Sequence, residues 1–139
     1  MASFNKLYPF VENLAEKAFN LGSDTLKVMC TNTAPNATDG QKSQLTEISA
    51  GNGYTAGGTA TTISSSSQSS GTYKLVITDV VFTASGGSIG PLRYVVLYDD
   101  TATNDELIGY WDYGSSITLA AGESLTVDFD PTTGVLQIV

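Results

Sequence analysis

The densest gathering of groups capable of chemistry is the acidic run Asp99-Asp100-Thr101-Ala102-Thr103-Asn104-Asp105-Glu106. Loops of this kind hold Ca²⁺ when about six to eight carboxylate and carbonyl oxygens converge. This run lacks both the ligand spacing and the central glycine of a helix-loop-helix calcium site, so it reads as the solvated tip of a hairpin. Paired carboxylates are also the machinery of glycoside hydrolysis, where two acids face each other roughly 5–10 Å apart. Asp99, Asp105, Asp112, Asp128 and Asp130 supply candidates. Asp128 and Asp130, though, alternate with Leu125, Val127 and Phe129, which puts them on the wet side of a half-buried strand.

Covalent catalysis has no better support. Serine is abundant, but the chain has no histidine to activate a hydroxyl. With histidine go the commonest metal ligand and the ordinary switch near neutral pH. Cys30 is the only cysteine. Its place in Leu26-Lys27-Val28-Met29-Cys30 marks it as a small buried hydrophobe rather than a reactive thiol. The glycine-rich Ser85-Gly86-Gly87-Ser88-Ile89-Gly90 fits neither phosphate-binding nor dinucleotide-binding patterns and reads as a turn. No catalytic residue, metal site or cofactor is expected, and the chain reads as a non-enzyme.

Two features suit recognition instead. In Tyr110-Trp111-Asp112-Tyr113, strand alternation sends Trp111 and Tyr113 to one side and Tyr110 and Asp112 to the other. One pair belongs in a core; the other could be a protein contact or a sugar-stacking platform. Charge narrows the partners. Fourteen acidic residues stand against six basic ones, a formal net charge of −8, and Arg93 is the only arginine. Nucleic-acid binding requires clustered cations to replace phosphate counterions, so no nucleic acid is expected. No run approaches the length of apolar residues that spans a bilayer, so no membrane partner is expected either.

The elements that must position these groups follow from hydrophobic periodicity. Phe4, Leu7, Val11, Leu14, Ala18 and Leu21 follow a helical spacing and draw one apolar stripe. Pro9 suits the first turn and Gly22 the C-terminal cap, so the spacing predicts a helix over Pro9–Asn20 preceded by an arm. This N-terminal part, about residues 1–21, either docks on its own domain or reaches a neighbouring subunit through Phe4, Leu7, Tyr8 and Phe10. Its polar interruptions at Glu12, Asn13, Glu16 and Lys17 do not fit a signal peptide, and assembly in a cytoplasm is the expectation.

From Asp24 the period becomes two. Leu26, Val28 and Cys30 mark a first strand, residues 44–48 a short second one, and residues 53–74 a long irregular hairpin. Six strand-like runs follow at 73–84, 92–100, 106–113, 116–120, 123–130 and 135–139, separated by short turns. Composition agrees: Ser, Thr and Gly make about a third of the chain, and charged residues only 14%, against roughly 25% in an ordinary soluble domain. The reading is one domain over residues 1–139, mainly β: an antiparallel, jelly-roll-like β-sandwich of about eight to ten strands with one N-terminal α-helix.

Taken together, AGNGYTAGG, GPLRYVVLYDDTATNDELIGYWDYGSSI and GESLTVDFD carry a resemblance to small proteins encoded among the structural genes of tailed bacteriophages. The resemblance runs from about Leu21 to Asp130. It implies a virion component, similar to the capsid decoration (cement) proteins that sit on the outer shell and bridge major capsid subunits. The implied partners are the major capsid protein or other virion proteins, with a trimeric or dimeric homo-oligomer and no cofactor. The alternatives are a tail, neck or fibre-associated adaptor and a carbohydrate-binding module for host glycans.

Overall fold

The computed structural model describes residues 2–139. Its backbone is a long antiparallel hairpin, β7 (Ile89–Asp99) and β8 (Leu107–Leu119), rich in the β-branched and aromatic side chains that fit a pleated sheet. β2 (Leu26–Thr31) pairs along β7 from Leu26↔Asp99 to Thr31↔Tyr94. Two short strands, β1 (Asn5–Lys6) on β8 and β3 (Thr59–Ala60) on β2, complete a five-stranded sheet in the order β1-β8-β7-β2-β3. Facing it are two smaller sheets. One runs β10-β5-β4, from β4 (Ile63–Ser69), β5 (Thr72–Ile77) and β10 (Leu136–Ile138). The other joins only β6 (Val80–Thr83) and β9 (Ser124–Val127). All pairings are antiparallel. The architecture is mainly β and sandwich-like, with one helix, and the sheets do not close on one another.

The main core lies between these layers. It takes Leu26, Val28 and Cys30 from β2, Val95 and Leu97 from β7, Ile108 from β8, and Leu75, Ile77 and Phe82 from the facing sheets. A second cluster, Leu7, Met29, Val96, Tyr98 and Leu107, occupies the opposite face of the five-stranded sheet. Leu45 packs against it from the excursion between β2 and β3. Thus β7 is buried on both sides from Val95 to Asp99, where simple alternation anticipates one wet face. A continuous apolar run is what two-sided burial requires.

Three local expectations are corrected. The helix α1 spans Tyr8–Ala15, not Pro9–Asn20, with Pro9 in its first turn. Lys17 takes the left-handed conformation at φ 70°, and Ala18 N–H turns back to Asn13 O, so the chain leaves the helix five residues before Gly22. The shorter helix also faces differently: Val11 is 51% exposed, while Phe10 and Phe19, outside the expected stripe, are buried. Residues 44–48 form no strand. A 3₁₀ turn at Lys42–Gln44 is held by reciprocal bonds between Gln41 and Gln44, and only isolated bridging at Glu47 follows. Finally, the run 73–84 is two strands in different sheets, broken at Thr78–Asp79. The Thr78 carbonyl there accepts from Thr61 Oγ1, and Asp79 Oδ1 accepts from Phe129 N–H.

Candidate functional site

The acidic loop is built to satisfy itself. Asp99 is fully buried at the end of β7, and its Oδ1 accepts the N–H groups of Thr101 and Ala102 at 2.9 and 3.1 Å. Glu106 accepts from the backbone and side chain of Asn104. Lys27 pairs with Asp100 at 3.0 Å and Lys42 with Asp105 at 3.5 Å. The expected solvated tip therefore holds only for its middle: Thr101, Thr103 and Asn104 are exposed, while Asp99 and Glu106 are buried. Asp99 Oδ2 finds no N–H or O–H donor. Burial first, and then the neighbouring Asp24 carboxyl, push the Asp99 carboxyl up to about 7. Among the described residues, no three Asp, Glu or Cys side chains converge as a metal site would require.

The other reactive groups are likewise engaged. Cys30 is buried, and burial together with Glu47 pushes its thiol up to about 12. Tyr54 Oη donates to Glu47 Oε1 at 2.7 Å and accepts Cys30 N–H at 3.0 Å, while Gly57 N–H donates to the same Glu47 oxygen at 2.6 Å. Burial raises the Tyr54 hydroxyl far above the ordinary phenol range. Arg93 grips Asp112 with two bonds, at 2.8 and 3.0 Å, which lowers the Asp112 carboxyl and raises the guanidinium. One pattern escaped the sequence reading: Gly86-Gly87-Ser88-Ile89-Gly90 has the glycine–serine spacing of a nucleophile elbow. That elbow needs a strand-to-helix turn. Ser88 instead lies in the β6–β7 turn, between two strands, and its carbonyl accepts from Asn52 Nδ2.

The four N-terminal contact candidates divide. Leu7 and Phe10 are buried in this chain's own clusters, so neither is available to a partner on the folded chain. Burying an aliphatic or aromatic side chain contributes about 1.5–3 kcal/mol, which explains why they turn inward. Phe4 is half-buried with its ring 5.2 Å from that of Trp111. It passes so close to Gly109 that any Cβ there would collide with its ring. Tyr8 alone is well exposed, at 66%.

Tyr8 has neighbours in kind. Val11 lies one turn further along α1, on the same side. Val11, Ile138 and Val139 line one groove of about 720 Å³, with Phe4 and Leu14 beneath. Of the six large apolar side chains left exposed among the described residues, Tyr8, Val11, Ile138 and Val139 make four. Nothing in the sequence pattern joins Val11 to residues 138–139; the fold brings them to one groove.

The aromatic strand segment resolves too. Trp111 is half-buried, flanked by Phe4 at 5.2 Å and Phe129 at 5.3 Å, and Tyr113 is exposed at the rim of a second groove. No helix among the described residues is long and apolar enough to cross a membrane. No family model, curated protein or solved structure matches this chain.

Proposed function

We propose that this chain is a structural protein of a tailed-phage virion, of the capsid decoration type, binding the outer shell and bridging major capsid subunits. The observation that carries the reading is the gathering of exposed Val11, Ile138 and Val139 around one groove, with exposed Tyr8 one helical turn before Val11. Contiguous exposed apolar surface marks a place where another macromolecule sits. A decoration protein acts by burying such surface across a subunit boundary, which stabilises the assembled shell through mass action. The reactive groups support a binding role, since Cys30, Glu47, Asp99 and Glu106 are engaged in internal packing and hydrogen bonds. A sugar-binding role has less support, because Phe4 and Phe129 already flank the Trp111 indole.

A tail or neck adaptor could use the same surface, and copy number separates the two. The test is quantitative mass spectrometry of purified particles against the major capsid protein. Copies in proportion to the capsid subunits support decoration; a handful per particle means an adaptor; absence from the particle removes the virion reading.

A further inference from the structure

A groove of about 470 Å³ opens where the two-stranded sheet parts from the five-stranded one. Its floor is the inward face of the long hairpin, where Val95 and Trp111 sit opposite each other. Its other wall is the stretch from Leu125 to Asp130. Leu125 and Val127 touch the groove, and so do Thr126 and Asp128, although side chains alternate across a strand. A cavity touching both sets runs along the strand's edge, not over one face. Among the described residues that edge is free, because β9 pairs only with β6. Ala84 N–H donates to Glu123 O at 2.9 Å, one step beyond the Thr83↔Ser124 pair. Alternation in an antiparallel ladder then turns Leu125 and Val127 toward β6 and leaves the Thr126 N–H and C=O pointing outward.

The electrostatics are one-sided. Asp128 and Asp130 line the groove, and no Lys or Arg among the described residues does. Asp130 caps its own turn through Thr132 and Thr133. Among the described residues, Asp128 belongs to none of the three ion pairs, which join Lys27 to Asp100, Lys42 to Asp105 and Arg93 to Asp112. A free strand edge recognises an extended segment through main-chain bonds, and its flanking side chains set the specificity.

We propose that this groove binds an extended segment of a partner protein, added as a strand to β9, with an apolar side chain on Trp111 and Val95 and a Lys or Arg beside Asp128. Charge complementarity selects a cationic partner over a second copy, since this chain carries −8. The inference rests on the groove alone and not on the virion reading.

Trp111 is the only tryptophan, so its emission reports on the groove without a label. The probe is a short blocked peptide alternating lysine and valine. Two controls accompany it: the same peptide with glutamate for lysine, and one of identical composition with the lysines and valines in separate blocks. A saturable emission shift is expected with the alternating lysine peptide only. Asp128→Lys should weaken it about 10-fold or more by reversing the charge contact. Thr126→Pro should do the same by removing an outward N–H, at an edge position where proline is tolerated. Both side chains are exposed, so unchanged circular dichroism is expected, and Asp128→Lys decides alone if Thr126→Pro unfolds. No saturable shift, an equal response to either control peptide, or full binding by Asp128→Lys would overturn the proposal.

Discussion

The two faces of the five-stranded sheet are finished differently. On the outer face, the excursion between β2 and β3 lies down on Met29, Val96, Tyr98 and Leu107, and its polar groups are paired as it does so. Tyr98 Oη donates to the Gly57 carbonyl, and the Gly57 N–H donates to Glu47 Oε1; that carboxylate also accepts from Tyr54, whose ring lies in the main core. On the inner face the facing layer is split in two, and at β9 it leaves an edge, a half-covered tryptophan and an aspartate outside the ion pairs of the described residues. A buried polar group costs about 1–3 kcal/mol when its partner is lost, so the closed face is where stability is most exposed to mutation. The open side loses little stability on substitution and is free to recognise.

The largest effect should come from the closed face. Gly58 sits at φ 81°, and any Cβ there would collide with the Val28 carbonyl. Gly58→Ala is expected to cost on the order of 4 kcal/mol or more in urea denaturation, by strain and by lifting the excursion from β2. A cost under about 1 kcal/mol would mean that the excursion is not tightly seated.

The Asp24–Asp99 pair gives the next effect, and it depends on pH. The Asp99 carboxyl stands at about 7 in the folded chain against an ordinary 3.8, so folding takes up a proton between those values. Stability should be full below about pH 4, fall as pH rises through about 7, and level off above it, no more steeply than ~1.4 kcal/mol per pH unit. Asp99→Asn keeps an oxygen for Thr101 and Ala102 and removes the ionisable group. Melting temperatures from pH 4 to 8 should be flatter for the variant, and the variant should be the more stable at pH 8. Parallel curves would contradict a raised Asp99 carboxyl.

Tyr54→Phe removes the hydroxyl that joins Glu47 to the Cys30 N–H; that N–H loses its acceptor, while Glu47 keeps the Gly57 N–H. A loss of about 1–3 kcal/mol is expected by denaturant titration. On the exposed surface, Tyr8→Ser and Val11→Ser should change stability by no more than about 0.5 kcal/mol. Under the proposed function they should nevertheless weaken binding to shells assembled without this chain, measured by co-sedimentation. Undiminished binding would move the contact elsewhere.

The sheet scaffold could be read from residue types because its signals are local. Leu26, Val28 and Cys30 alternate and do face the main core, and Gly, Ser, Asn and Asp mark most turns between the later strands, although the break expected at Gly114-Ser115 lies inside the continuous β8. What failed had non-local causes. Val95-Val96-Leu97-Tyr98 is an uninterrupted apolar run, the only hint that a second layer covers the sheet, and no residue says that the layer comes from residues 32–58. The helical stripe failed because Lys17 adopts a conformation that its residue type does not advertise. Asp99 looked like a wet acid because it is buried at the end of β7 beside Leu26 of β2, a neighbour far away in the chain. The β9 groove joins Trp111 to Leu125–Asp130 through an edge that remains free, and a missing strand leaves no mark in the sequence.

Amide hydrogen exchange of the free chain, read residue by residue, tests the contrast most directly. The closed face predicts slow exchange at Val28, Met29, Val96 and Leu97. The open side predicts fast exchange at Thr126, slowed when the alternating lysine–valine peptide is added. Protection at Thr126 in the free chain equal to that of Val96 would mean that the edge is already covered, and would contradict the account.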